Sequence, residues 1–153
     1  MNKKPDFDLE AAHRYFSAHC FNSAWDLIDK NDRTPEEDER MIQLNQASLW
    51  HWTRRADCSD QNLSVGYWQA ARIRALLGQA DEARRCAQLS LQYSEKLEPF
   101  YQGYAYEALA RAEQVAGDRE KARELAAEAH RLAEMVSDAG EKKLLLDDLA
   151  GIE

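Results

Sequence analysis

The 153 residues carry 20 Lys and Arg against 28 Asp and Glu, a formal net charge of −8, with 44% apolar and 31% charged residues and only three prolines. Such a length and composition fit a single globular domain with one continuous core and exclude disordered, collagen-like and fibrous chains. The acidic balance also speaks against nucleic acid, which needs a concentrated basic face, and no apolar run approaches the roughly 18 residues that span a bilayer.

Over residues 7–30, Leu9, Ala12, Phe16, Cys20, Ala24, Leu27 and Ile28 recur at three- and four-residue steps, the period of one face of a helix. Asn31-Asp32-Arg33 breaks that pattern, and Thr34-Pro35-Glu36-Glu37 then reads as a helix start. Thr34 can cap, Pro35 suits the first helical position, and Glu37 can reach back to the capping amide. The second helix carries Met41, Ile42, Leu44, Ala47, Leu49, Trp50 and Trp52, is expected to run to residue 56, and should pack both tryptophans. The polar stretch 57–62 reads as a connection. A third helix is expected over 63–77, closed by Gly78, and a fourth over 80–97, ending before Pro99. The fifth runs to Ala116 and is closed by Gly117, and the sixth covers 119–136. Asp138-Ala139-Gly140-Glu141 offers a cap for a short last helix with Leu144, Leu145, Leu146, Leu149 and Ile152.

Sliding the sequence by 39 residues superposes Tyr67 on Tyr106, Ala71 on Ala110, Arg72 on Arg111, Gly78 on Gly117, Ala83 on Ala122, Arg84 on Arg123 and Ala87 on Ala126. A fixed period with glycine at the turn and small residues at the crossings marks a helical solenoid. In this register the chain resembles the tetratricopeptide repeat. Tyr67-x2-Ala70-Ala71 and Tyr106-x2-Leu109-Ala110 stand at its aromatic and Leu-Gly positions, and Ala83 and Ala122 at its helix-crossing alanine. Arg74 and Glu113 replace its second aromatic, Ala87 and Ala126 its phenylalanine, and the period exceeds the usual 34. The wording of residues 26–30, 33–38 and 106–111 also resembles a group of bacterial helical-repeat proteins of unassigned activity. The resemblance implies an all-α fold of about seven helices, antiparallel pairs stacked as a short right-handed α-solenoid. Residues 7–56 would form a divergent pair, 63–97 and 99–136 two clearer repeats, and 138–153 a capping helix, all within one domain.

In tetratricopeptide arrays the first helix of each pair lines a concave groove. The resemblance thereby places Val65, Trp68, Arg72 and Ala75 on one wall and Tyr104, Glu107, Arg111 and Gln114 on the next, and helical spacing alone puts each set on one face. Arg72 and Arg111 could hold a carboxylate or phosphate while Trp68 and Tyr104 supply flat apolar contact. The plainer alternative pairs both arginines with Glu107. His51 is a further groove candidate, although a lone histidine is ordinarily structural. The leading expectation is a cytoplasmic module that binds a peptide or protein segment. The alternatives are a sensor of a small anionic ligand in a closed aromatic and arginine pocket, and an enzyme in which His51 meets Glu107 or another carboxylate. No metal, cofactor or catalytic residue is expected, since HExxH, GxSxG and phosphate-cradling glycine loops are absent from the sequence. The opening Met1-Asn2-Lys3-Lys4-Pro5-Asp6 leads into no signal core.

Three further features have ordinary expectations. Cys20, Cys58 and Cys86, far apart and without CxxC spacing, read as free buried or half-buried thiols in a reducing compartment. The pairs Arg54-Arg55 and Arg84-Arg85, beside Asp57 and Glu82, read as solvated surface, and the acids at 36–39 as stabilisers of a helix start. The leucines of the last helix exceed what one core face can take, which opens the possibility of a homodimer through that helix.

Overall fold

A computed structural model of the chain describes residues 3–152, so part of the polar opening and the last residue lie outside the described residues. Seven helices and no strand occur among them: α1 (Leu9–Ile28), α2 (Pro35–Thr53), α3 (Asp60–Leu76), α4 (Ala80–Ser94), α5 (Pro99–Ala116), α6 (Arg119–Glu134) and α7 (Ala139–Leu149). The fold is all-α and built from antiparallel helix pairs. The chain divides into two compact units, the first reaching to Cys58 and the second starting at Ser59.

Several ends differ from those the periodicity suggests. Helix α3 starts at Asp60, three residues before the first apolar position, because Asn62 accepts hydrogen bonds from both the backbone amide and the hydroxyl of Ser59 and so organises a polar first turn. Helices α2, α4 and α6 stop two or three residues short of the expected ends. At the last two, terminal carbonyls accept from amides three residues on, as Ser94 does from Leu97 and Ala133 from Val136, so the apolar pattern outlasts the α-helix by a tight turn.

In the first unit α1 packs against α2. Asp8 caps α1 by accepting from the Ala11 amide, and Thr34 and Glu37 form the expected reciprocal cap of α2. Between them Arg33 donates to the carbonyls of Lys30, Ile28 and Leu27 at the end of α1 and pairs with Asp38 at 2.8 Å. Lys30 adds a bond to Glu37 at 2.7 Å. One guanidinium thus satisfies carbonyls that a helix end leaves open.

The buried face of α1 is His13, Ser17, Cys20, Ala24 and Ile28, so Leu9 and Phe16, expected inside, are exposed instead. The cause is close contact between the helices. The Ser48 hydroxyl donates to the Ser17 carbonyl at 2.7 Å, a separation that only small side chains at the crossing permit. Arg55, expected as solvated surface, is largely covered: it donates to the Ser17 hydroxyl, pairs with Asp57 and lies 3.9 Å from the centre of the Trp52 ring. Trp50, expected to pack inside, is 57% exposed.

In the second unit α3 pairs with α4 and α5 with α6, α4 and α3 pack on α5, and α7 closes against α5 and α6. One pair stacks on the next as in a helical repeat. Gly78 and Gly117 end their helices at φ of 71° and 87°, the left-handed geometry that glycine adopts without a Cβ clash. Ala83 and Ala122, at equivalent repeat positions, are fully buried, and Ala87 and Ala126 are buried beside them. Ser64 and Ser90 exchange hydroxyl-to-carbonyl bonds of 3.1 and 2.9 Å where α3 meets α4. Glu113 forms a two-pronged pair with Arg84 of α4 at 2.6 and 3.0 Å. Gly103 brings α7 close to α5: a Cβ there would lie 2.5 Å from the Leu145 side chain.

An aromatic recess beside a buried carboxylate

Glu107 projects from the middle of α5 and is fully buried. A buried carboxylate needs several donors, because the interior offers little solvation of its charge. Trp68 Nε1 donates to its Oε2 at 3.0 Å, Arg72 donates to Oε1 at 3.4 Å, and Arg111 Nε donates to Oε1 from one turn along the same helix. Arg111 reaches on to the Asp148 carbonyl at the end of α7 at 2.8 Å, and the Tyr104 hydroxyl donates to the Asp148 carboxylate at 2.8 Å. Six side chains from α3, α5 and α7 therefore form one network.

Residues of the network line two recesses. The larger, about 230 Å³, is lined by Ser64, Val65, Trp68, Ser90, Phe100, Tyr101 and Tyr104. Its rings meet near right angles: Trp68 and Tyr104 at 67° and 5.0 Å, Phe100 and Tyr104 at 85° and 5.1 Å, Phe100 and Tyr101 at 79° and 5.2 Å. The smaller, about 120 Å³, is lined by Arg72, Ala75, Leu76, Arg111, Gln114 and Val115. Burial first, and then the Asp148 carboxylate that accepts its proton, pushes the Tyr104 hydroxyl far above the usual phenol range. Tyr101 is raised by burial and next by the charges of Glu141 and Glu98.

The eight positions projected onto the two walls therefore meet in space but divide their labour. Val65, Trp68 and Tyr104 face the aromatic recess, Arg72, Ala75, Arg111 and Gln114 the other, and Glu107 ties the two sets together. Both arginines pair with Glu107, the plainer of the two readings of the sequence. Phe100 and Tyr101 were not among the candidates, although Phe100 stands one helical turn from Tyr104 and the spacing alone could have included it. Asp148 and Ser90 carry no such signal, since tertiary packing brings them in from other helices.

His51 lies in the first unit, where its Nδ1 is 2.8 Å from Nδ1 of His13. Its ring stacks on Phe16 and meets Trp50 edge-on at 4.9 Å, while Tyr15 stacks on His19. Burial and, second, the neighbouring His13 lower its pKa below the ordinary value. The three cysteines are free, and burial raises the thiols of Cys20 and Cys86, which makes them less nucleophilic. Among the described residues no three His, Cys, Asp or Glu side chains are grouped to hold a metal, and no helix is long and apolar enough to cross a membrane.

No protein-family model matches this sequence, and no curated protein and no solved structure matches it.

Proposed function

We propose that the chain is an interaction module that takes one side chain of a partner peptide into the aromatic recess of the second unit. The observation that carries this reading is the size and lining of the recess. At about 230 Å³ it is smaller than the roughly 300–1,000 Å³ of pockets that enclose whole drug-sized ligands, and it matches a single side-chain-sized group. Four aromatic rings give such a group a rigid apolar wall, the kind of surface that anchors a peptide while the rest of its backbone lies outside. The reading as a sensor of a compact anion has less support, because the donors that would hold the anion, Arg72 and Arg111, are engaged by Glu107 and do not line the aromatic recess.

Selection from a displayed library of random peptides tests the proposal. Peptides that share one anchor residue should be enriched on the wild-type protein and lost on Val65→Trp, a substitution that fills the recess. Circular dichroism would confirm that the variant keeps its helices. Equal recovery on both proteins, or no enrichment on either, would overturn the reading.

A further inference from the structure

Four of the polar side chains that line the aromatic recess are engaged elsewhere. The Ser64 and Ser90 hydroxyls donate to each other's carbonyls, the Tyr104 hydroxyl donates to Asp148, and the Trp68 indole donates to Glu107. An anion entering the recess would find the Tyr101 hydroxyl as its one remaining donor among the lining residues, too little to replace its lost water, and a bare ammonium would give up strong hydration for ring faces. What the walls do offer is π surface on several sides, from Trp68, Phe100, Tyr101 and Tyr104, set nearly perpendicular to one another.

The charges around these walls are predominantly negative. Asp148 sits 2.8 Å from the Tyr104 hydroxyl, and Glu107 lies behind Trp68 at 3.0 Å. Glu98, next to Pro99 at the start of α5, and Glu141, in the first turn of α7, act on Tyr101. The opposing cations are Arg72, beside Tyr104, and Arg111, and both are paired with Glu107. A positive guest is therefore favoured by the ring quadrupoles and by the surrounding carboxylates together.

We infer that the recess selects an N-methylated ammonium group, whose apolar methyls fill the aromatic walls while its diffuse charge faces the rings and the carboxylates around them. The inference rests on the proposed binding role of this recess and adds the chemistry of the anchor. Such a group reaches a protein either as a free quaternary amine or as a methylated lysine in a peptide, and both present the same methylated nitrogen.

Calorimetric titration of the full chain with choline and with 3,3-dimethylbutan-1-ol, its uncharged isostere, separates charge from shape. Choline should bind about tenfold more tightly than the isostere, an order-of-magnitude expectation for a desolvated cation over aromatic faces. Phe100→Leu, which keeps the apolar volume and removes a ring, should shrink that preference while the helical circular dichroism stays unchanged. Titration with a short peptide bearing trimethyl-lysine, beside the same peptide with lysine, identifies the source: tighter binding than choline points to a methylated chain, equal binding to a free amine. Isostere binding as tight as choline would overturn the inference and leave the apolar anchor standing. Absence of binding by choline and by the methylated peptide, with peptides still enriched by display, would overturn the inference alone; the failure of both experiments removes the recess as a site.

Discussion

The two units bury different chemistry behind the same helix-pair geometry. Among the described residues of the first, the buried side chains are His13, Ser17, Asn45 and Ser48 together with Cys20, Ala24, Ile28 and Met41, and no leucine is fully inside. The second buries a long series of alanines with Leu109, Leu132, Leu145 and Leu149, and sets one fully buried carboxylate among them. The contrast shows two ways of bringing helices close. The Ser48 hydroxyl, donating to the Ser17 carbonyl, ties α1 to α2, as Ser64 and Ser90 tie α3 to α4, whereas alanine removes bulk between α5 and α6.

If Glu107 is the polar keystone of the second unit, removing it should have the largest effect. Glu107→Ala removes the carboxylate that accepts from Trp68 Nε1, Arg72 and Arg111, and breaking a buried ion pair from one side costs about 3–5 kcal/mol, a large share of a typical domain's stability. Denaturant unfolding followed by circular dichroism would measure the loss. A change below about 1 kcal/mol, the range of an exposed pair, would show that the network is not buried in solution.

The next effect concerns α7. Leu145 is fully buried and packs over Gly103, while Leu144 beside it is 58% exposed. Leu145→Ala should cost about 2–5 kcal/mol by leaving a cavity at the closest approach of the last helix. Hydrogen exchange should report it as faster exchange over 139–149 than over α3 or α4. Uniform loss of protection across the second unit would mean instead that α7 folds with the rest as one body.

Much of this fold is readable in the sequence because it is written in local rules. The Thr34 to Glu37 cap, the glycines at 78 and 117, and the 39-residue spacing of the buried alanines depend on near neighbours or on a repeated pattern. The face of α1 is less readable, since apolar periodicity favours Leu9 and Phe16 while the interior takes His13 and Ser17, whose value lies in partners across the pair. The same limit holds at the candidate site. Helical spacing groups Trp68 with Arg72 and Tyr104 with Glu107 and allows the arginines to pair with Glu107, yet only the packed structure chooses that pairing and shows that Phe100 and Tyr101 complete the recess.

The smallest effect tests the polar core of the first unit. The His13 and His51 Nδ1 atoms, 2.8 Å apart, share one hydrogen, and a second proton between them would set two N–H donors against each other. What faces this pair from α1 and α2 is the aromatic set Phe16 and Trp50, while the nearby charges Arg14 with Glu10 and Arg55 with Asp57 are paired among themselves. Burial and then His13 hold His51 below its ordinary 6.5, so the folded chain binds fewer protons at this site than the unfolded chain. Its contribution to stability is therefore fully present above that ordinary value and is lost as pH falls through the lowered one. Melting temperature should drop between pH 7.5 and 5.5, and His51→Gln, which can still hydrogen-bond His13 but does not titrate, should flatten that drop. An identical pH profile in both proteins would place the acid sensitivity elsewhere and leave the histidine pair a packing feature, making the first unit less distinct from the second than its buried polar side chains indicate.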